Sequence, residues 1–283
     1  METEQERQWR KETARQDGEV DSILLIGQSN MCGRGIIGQV PPIDPEGKMF
    51  MLRNGRWQPM SEPINPDRQV FAKSDVEFRS GVSLAASFAQ EYAHAYDRKV
   101  GLIPCADGGT KLIEWQPGEI LFDHAVMQAK LAQRSSKICG ILWHQGESDS
   151  TSAAQAATYL KRLRPMMRLL EERIRTVAQE MGMPNAVCDP LPIIVAELGD
   201  YLDDNASSIY HRQINEQLHA FAALDPAYAC VTAHDLPDRG DCLHFDVRAQ
   251  RRLGLRYACA WMDVTQRLQS KKAWRPALNP EQV

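Results

Sequence analysis

Short apolar runs alternate along this chain with longer segments in which apolar residues recur every three or four positions. The first run, Val20 to Ile26, ends at Gly27 and reads as a buried strand that stops in a sharp turn. The runs Lys99 to Pro104, Ile138 to Trp143, Leu191 to Ala196 and Ala229 to Ala233 repeat the pattern, giving five core strands. Between them, Leu84, Phe88, Tyr92 and Ala95 predict a helix within Ser80 to Asp97, and a second is expected from about Glu119 to Ser135. Leu160, Leu163, Met167, Leu170, Ile174 and Val177 mark a long helix in which Pro165 should make a kink or open a second segment. Ile209, Ile214, Leu218, Phe221 and Leu224 mark the next, and Asp246 to Gln269 closes the pattern as a helix. Strands and helices alternating at this rhythm imply a parallel sheet covered on both faces, because right-handed crossovers place helices on each side.

Other segments fall outside the rhythm. Met49 to Trp57 carries Asn54-Gly55 between two short β-like arms and reads as a hairpin that decorates the rim of the ligand crevice. Residues 1–18 are polar and form a peripheral arm, residues 19–270 form one domain, and residues 271–283, with Pro276 and Pro280, form an irregular tail.

Composition narrows the partners. With 43% hydrophobic and 25% charged residues over 283 positions, the chain can bury a core without disulfides or a structural metal. Its net charge of −4 supplies no basic field, so nucleic acid and anionic membrane are not expected as partners. The seven cysteines are scattered, odd in number and without a C-x-x-C pair, which fits free thiols in a reducing compartment. The charged amino-terminal segment lacks the apolar core of a signal peptide, and no apolar run could span a bilayer, so the cytoplasm is the simplest address.

In a parallel sheet the loops after Ile26, Pro104, Trp143 and Ala233 emerge on one edge, where open α/β sheets bind their ligands. Those loops hold what nucleophilic catalysis needs: a hydroxyl, a base, a group that orients the base, and donors for a developing oxyanion. Ser29 is the hydroxyl and His244 the base. Asp241, three residues before His244, can hold its imidazole, although Asp238 and Asp235 are alternatives and Asp241 could instead cap the final helix. The oxyanion donors would be the backbone N–H of Ser29, a backbone N–H of Gly108 or Gly109, and the Gln145 amide.

These blocks carry a resemblance. Gly27-Gln28-Ser29-Asn30-Met31, Pro104-Cys105-Ala106 with Gly108-Gly109-Thr110 and Trp115, Leu142-Trp143-His144-Gln145-Gly146-Glu147-Ser148-Asp149, and Asp241-Cys242-Leu243-His244 resemble the sialate O-acetylesterase-like family of SGNH hydrolases, which includes the acetylxylan esterases of the sixth carbohydrate-esterase family. The resemblance spans about Ser22 to Trp261. It implies a three-layer α/β/α, flavodoxin-like SGNH hydrolase fold, here with a parallel five-stranded central sheet. It also implies a serine esterase that removes acetyl groups from a small carbohydrate without a cofactor or metal. By position it implies Ser29 as nucleophile, His244 as base, Asp241 as its partner, and Gly108 or Gly109 with Gln145 at the oxyanion. Gln28 and Glu147 lie in matching blocks as supporting residues. Trp115 and His144 are candidates for contact with the sugar.

Two other readings are weighed against it. His144, Glu147, Asp149, His234, Asp235, Asp238, Asp241 and His244 offer ligands for a metal-dependent hydrolase, but no H-E-x-x-H or other tight metal signature is present. A non-catalytic carbohydrate-binding homologue is disfavoured because nucleophile, base and oxyanion candidates are all intact. Met31 stands where a G-x-S-x-G elbow requires its second glycine, which disfavours a standard α/β-hydrolase.

Overall fold

The computed structural model describes residues 20–66 and 79–273. Strand β1 (Val20–Gly27) is buried along its whole length, and each of its large aliphatic side chains removed from water is worth about 1.5–3 kcal/mol. Its neighbours are β4 (Lys99–Pro104) on one side and β5 (Ser136–His144) on the other, both parallel to it. Beyond β4 lies a hairpin of β2 (Met49–Arg53) and β3 (Arg56–Pro59); beyond β5 lie β6 (Ile193–Ala196) and β7 (Tyr228–Val231).

The sheet therefore has seven strands in the order β3-β2-β4-β1-β5-β6-β7, which corrects the expected count of five. The difference is the hairpin, expected to decorate the rim of the crevice, which instead extends the sheet at its edge: β2 pairs parallel with β4, and only β3 runs antiparallel. Its turn is the Asn54-Gly55 pair, with φ of 49° and 69°, the doubly left-handed geometry that matches strand twist in a two-residue hairpin.

The helices make the outer layers. After the single turn α1 (Ser29–Cys32) come α2 (Leu84–Tyr96), α3 (Ile120–Gln133), the short α4 (Ala153–Ala157), α5 (Tyr159–Glu180), α6 (His211–Ala222) and α7 (Val247–Ala273). Alternation along β1 divides them. Ile23 and Leu25 face a core shared with α2 and α7, whereas Leu24 and Ile26 face one shared with α3, α5 and α6. The result is a three-layer α/β/α structure around a largely parallel sheet. Helix α2 starts where Ser83 accepts a hydrogen bond from the Ala85 amide at 3.3 Å. Helix α5 runs through Pro165 without opening a second segment there, and Leu160, Leu163, Met167, Leu170 and Ile174 of its apolar stripe pack as the spacing indicated, whereas Val177 does not join the core.

The expected arm at 1–18 lies outside the described residues, as does the tail from 274 onward; residues 271–273 continue α7. All seven cysteines are free, and Cys139 and Cys188, 49 positions apart, bring their sulfurs to 3.2 Å. Among the described residues no helix is long and apolar enough to cross a membrane.

β1 occupies the centre of the sheet. The chain leaves it toward β2 and β4, then returns to build β5, β6 and β7 on the opposite side. Connections diverge at its carboxyl end, the place where open α/β sheets form a crevice.

Candidate active site

Gly27 ends β1 with φ of +133° and sits directly against β5: a Cβ there would collide with the His144 carbonyl oxygen and come within 2.7 Å of the carbonyl carbon. Only glycine permits that approach, and the Gln28 amide immediately donates to the same His144 oxygen at 2.9 Å. This turn delivers Ser29 to the first position of α1, where it is 5% exposed.

The segment between β7 and α7 arrives from the other end of the chain. The His244 Nε2 atom lies 3.0 Å from Ser29 Oγ, across 215 positions of sequence. On its other side, Nδ1 is 2.7 Å from Asp241 Oδ2. The remaining Asp241 oxygen accepts from the backbone amides of Leu243 and His244 at 3.0 and 2.8 Å, which fixes the carboxylate under the ring. The alternatives are occupied elsewhere. Asp235 pairs with Arg252 and Arg256, Asp238 accepts from the amides of Gly240 and Cys242, and Asp246 caps α7 through the Ala249 amide.

The electrostatics suit a base that is neutral at rest. Burial pushes the His244 imidazole downward, and the cations Arg34 and Arg239 push the same way; the Asp241 hydrogen bond and charge oppose them without winning. Burial raises the Asp241 carboxyl, but hydrogen bonds from His244, Arg239 and the His244 amide outweigh it and hold the group well below the usual carboxylate range. Arg239 lies 2.6 Å from Asp241 Oδ2, so its removal deletes a nearby cation and frees the carboxylate for the imidazole. Both changes favour imidazolium. If neutral His244 is the active form, kcat/KM of the wild type should fall on the acid side only below the ordinary imidazole value of about 6.5, and Arg239→Met should move that limb to higher pH. A pH series of kcat/KM on an aryl acetate checks this; an unmoved or lowered limb would remove Arg239 from the account.

Of the two glycines after β4, Gly108 is the one beside Ser29. It is buried, and a Cβ on it would strike the Arg34 guanidinium and stand 3.7 Å from Ser29 Cβ, whereas Gly109 is exposed with φ of +75°. Arg34 is 3% exposed, donates from Nη1 to the Gly33 carbonyl, and among the described residues its Nε has no hydrogen-bond partner.

Three expectations need correction, and the alternative metal reading finds no ligand set among the described residues. Gln145 does not offer its amide to Ser29: Nε2 donates to the Thr110 carbonyl at 3.0 Å and to Asp149 Oδ2 at 2.7 Å, and Oε1 accepts from the Tyr159 hydroxyl at 2.8 Å. Both donors are consumed in tying loops together, the solution a fully buried amide requires. Trp115 is buried, donating to Thr110 Oγ1 and meeting Trp143 edge to face, so it has no surface for a sugar. His144 is likewise fully buried, 3.5 Å from Glu147 and edge-on to Phe245. The acid-rich loops also do not converge as one ligand set. Asp149 faces Arg162 and the Leu112 amide, His234 faces Asp200, and Asp241 faces His244; among the described residues no three His, Cys, Asp or Glu side chains are grouped to hold a metal.

Gln28 and Glu147 lie beneath the turn that carries Ser29. Gln28 Oε1 is 3.4 Å from the amides of Gly146 and Ser148, and Glu147, buried, accepts from Asn30 at 2.6 Å. Sequence reasoning passed over Arg34 and Arg239. Both lie inside or beside the quoted blocks, and a charge flanking a catalytic motif was the available signal.

Comparison with known proteins places this architecture. A model of the family described as carbohydrate esterase, sialic acid-specific acetylesterase, matches residues 19–263. A probable carbohydrate esterase of Arabidopsis thaliana is 28% identical over 261 residues, covering 85% of this chain and 89% of that one. An Arabidopsis thaliana crystal structure superposes with a TM-score of 0.69 at 25% identity, over 87% of this chain and 98% of the other. The crystal structure of NanS shares the fold, with a TM-score of 0.65 at 14% identity over 90% of this chain and 98% of that one. Since the family model covers nearly the whole described domain, the chain belongs to the carbohydrate esterase, sialic acid-specific acetylesterase family.

Proposed function

We propose that Ser29, His244 and Asp241 are the nucleophile, base and orienting carboxylate of this esterase, on a flavodoxin-like sheet of the SGNH hydrolase type. The chain is a serine-dependent carbohydrate O-acetylesterase, and the observation that carries the residue assignment is the unbroken line from Ser29 Oγ through the His244 ring to Asp241, at 3.0 and 2.7 Å. Ser29 Oγ attacks the acetyl carbonyl carbon while His244 Nε2 takes the hydroxyl proton. The backbone amides of Ser29 and Gly108 receive the oxyanion, and the Arg34 cation, next to Gly108, lies on the side where negative charge develops. Collapse breaks the bond to the sugar oxygen, which leaves with the proton from His244. A water, deprotonated by the same imidazole, then attacks the acetyl-enzyme; acetate departs and Ser29 recovers its proton.

An acetate-release screen over acetylated xylo-oligosaccharides, O-acetylated sialic acids and acetylated hexoses, with Ser29→Ala alongside, tests the reading. Release that needs Ser29 on at least one class is the expected result; equal release by Ser29→Ala would overturn it.

A further inference from the structure

Asn30 follows the nucleophile, is fully buried, and reaches the backbone on both sides of His244. Its Nδ2 donates to the Leu243 carbonyl at 3.2 Å, and its Oδ1 accepts from the Phe245 amide at 3.1 Å. The peptide units that carry the base are thus bonded to the residue next to Ser29. The second Nδ2 proton goes to Glu147 Oε1 at 2.6 Å, with the Tyr201 hydroxyl at the edge of reach at 3.4 Å. The backbone carbonyl of Asn30 accepts from Gln250 Nε2 on α7 at 3.2 Å.

This pattern admits one orientation of the amide. Phe245 needs an acceptor while Leu243 and Glu147 need donors, so a flipped amide would face three mismatches. Glu147 holds the choice. Burial raises its carboxyl, but the neighbouring His144 and the Asn30 amide more than compensate, and it stays below the usual carboxylate value. An ionised oxygen at 2.6 Å makes a strong, directional acceptor. His144 is in turn fixed through its backbone carbonyl, the acceptor for the Gln28 amide at the nucleophile turn.

We propose that Asn30 is a positioning residue for the base: one side chain bridges the peptides flanking His244 and sets its imidazole relative to Ser29, while Glu147 locks the amide in the required sense. This role rests on His244 acting as the base. It does not require Asn30 to touch substrate. Misplacing a reacting group by about 1 Å costs on the order of 10²-fold in rate.

The test compares the wild type, Asn30→Asp, Asn30→Ala, Glu147→Gln and the double variant Asn30→Asp with Glu147→Gln on an aryl acetate, with rates normalised to the folded fraction by circular dichroism. Asn30→Asp has the same shape but sets a carboxylate against Glu147 and the Leu243 carbonyl. It should lower kcat roughly 10²-fold with KM changed less than about threefold. Adding Glu147→Gln supplies an amide donor to the introduced carboxylate and should restore part of the loss, about fivefold or more. Glu147→Gln alone can still turn its carbonyl to Asn30, so it should lower kcat, but by less than Asn30→Asp does. If Asn30→Asp does not fold, Asn30→Ala reads the same clamp, with a kcat loss of at least about tenfold. A lowered Tm with kcat per folded molecule within about twofold of wild type in both Asn30 variants would overturn the proposal and leave Asn30 a structural residue only. An inactive wild type would instead overturn the esterase reading itself.

Discussion

His244→Ala should lower kcat on an aryl acetate by roughly 10⁴-fold or more, and Ser29→Ala by a similar factor, while the double variant should be little worse than either single one. The reason is geometric. Ser29 Oγ and His244 Nε2 are 3.0 Å apart, so the hydroxyl is a competent nucleophile only while the ring can take its proton. Either deletion removes that one step, and the second has nothing left to remove. KM should change little, because neither group is required to hold the ground-state sugar. Steady-state kinetics on all three variants, with circular dichroism to verify folding, decides the matter. Multiplicative losses in the double variant would mean that the two residues act independently and that the pair is not a unit.

Gly27→Ala should be strongly destabilising despite adding only one methyl group. The added methyl would meet the backbone of His144, which cannot move without breaking the β1–β5 register that ends at Gly27 and His144, and φ of +133° is itself unfavourable for alanine. A loss of about 3 kcal/mol or more is expected, on the order of 6–12 °C in Tm for a domain of this size. Activity should fall with it, because the same backbone aims Ser29. The measurement is a thermal melt beside a kcat determination at low temperature. A Tm within about 2 °C of the wild type would show that β5 can yield and that the turn is not the constraint assigned to it.

How much of this was legible in the sequence depends on the range of the interaction that decides it. Strand β1 and its glycine stop are local: an apolar run followed by Gly27 specifies them, and the middle turns of the helical stripes in α2, α5 and α6 follow from their periodicity, whereas the end positions Ala95, Ile209 and Leu224 are exposed and the last two lie outside α6. The hairpin turn was equally local, since Asn54-Gly55 determines its type. Where the hairpin would dock was not, because β2 joins β4 through backbone hydrogen bonds that leave no mark on side-chain pattern.

The site divides in the same way. Asp241 and His244 lie three residues apart in one loop, so their pairing could be read before any fold was known. Gln145, Trp115 and His144 stand in the right blocks, yet their side chains turn into the protein. Whether an amide faces a crevice or a buried Asp149 depends on tertiary neighbours such as Thr110 and Tyr159, which lie 35 and 14 positions away. Asn30 shows the opposite failure: it sits in the most conspicuous motif, but its partners at 243 and 245 come from the far end of the chain.

The central claim is that Ser29 forms the acyl-enzyme. Treating the protein with a serine-directed aryl phosphonate, with and without a divalent-metal chelator, and mapping the adduct by peptide mass spectrometry tests it most directly. The account predicts one adduct per chain, on Ser29, appearing in step with loss of acetate release and unaffected by the chelator, with His244→Ala labelled far more slowly. Activity that disappears with the chelator, returns with added metal, and leaves Ser29 unmodified would contradict it.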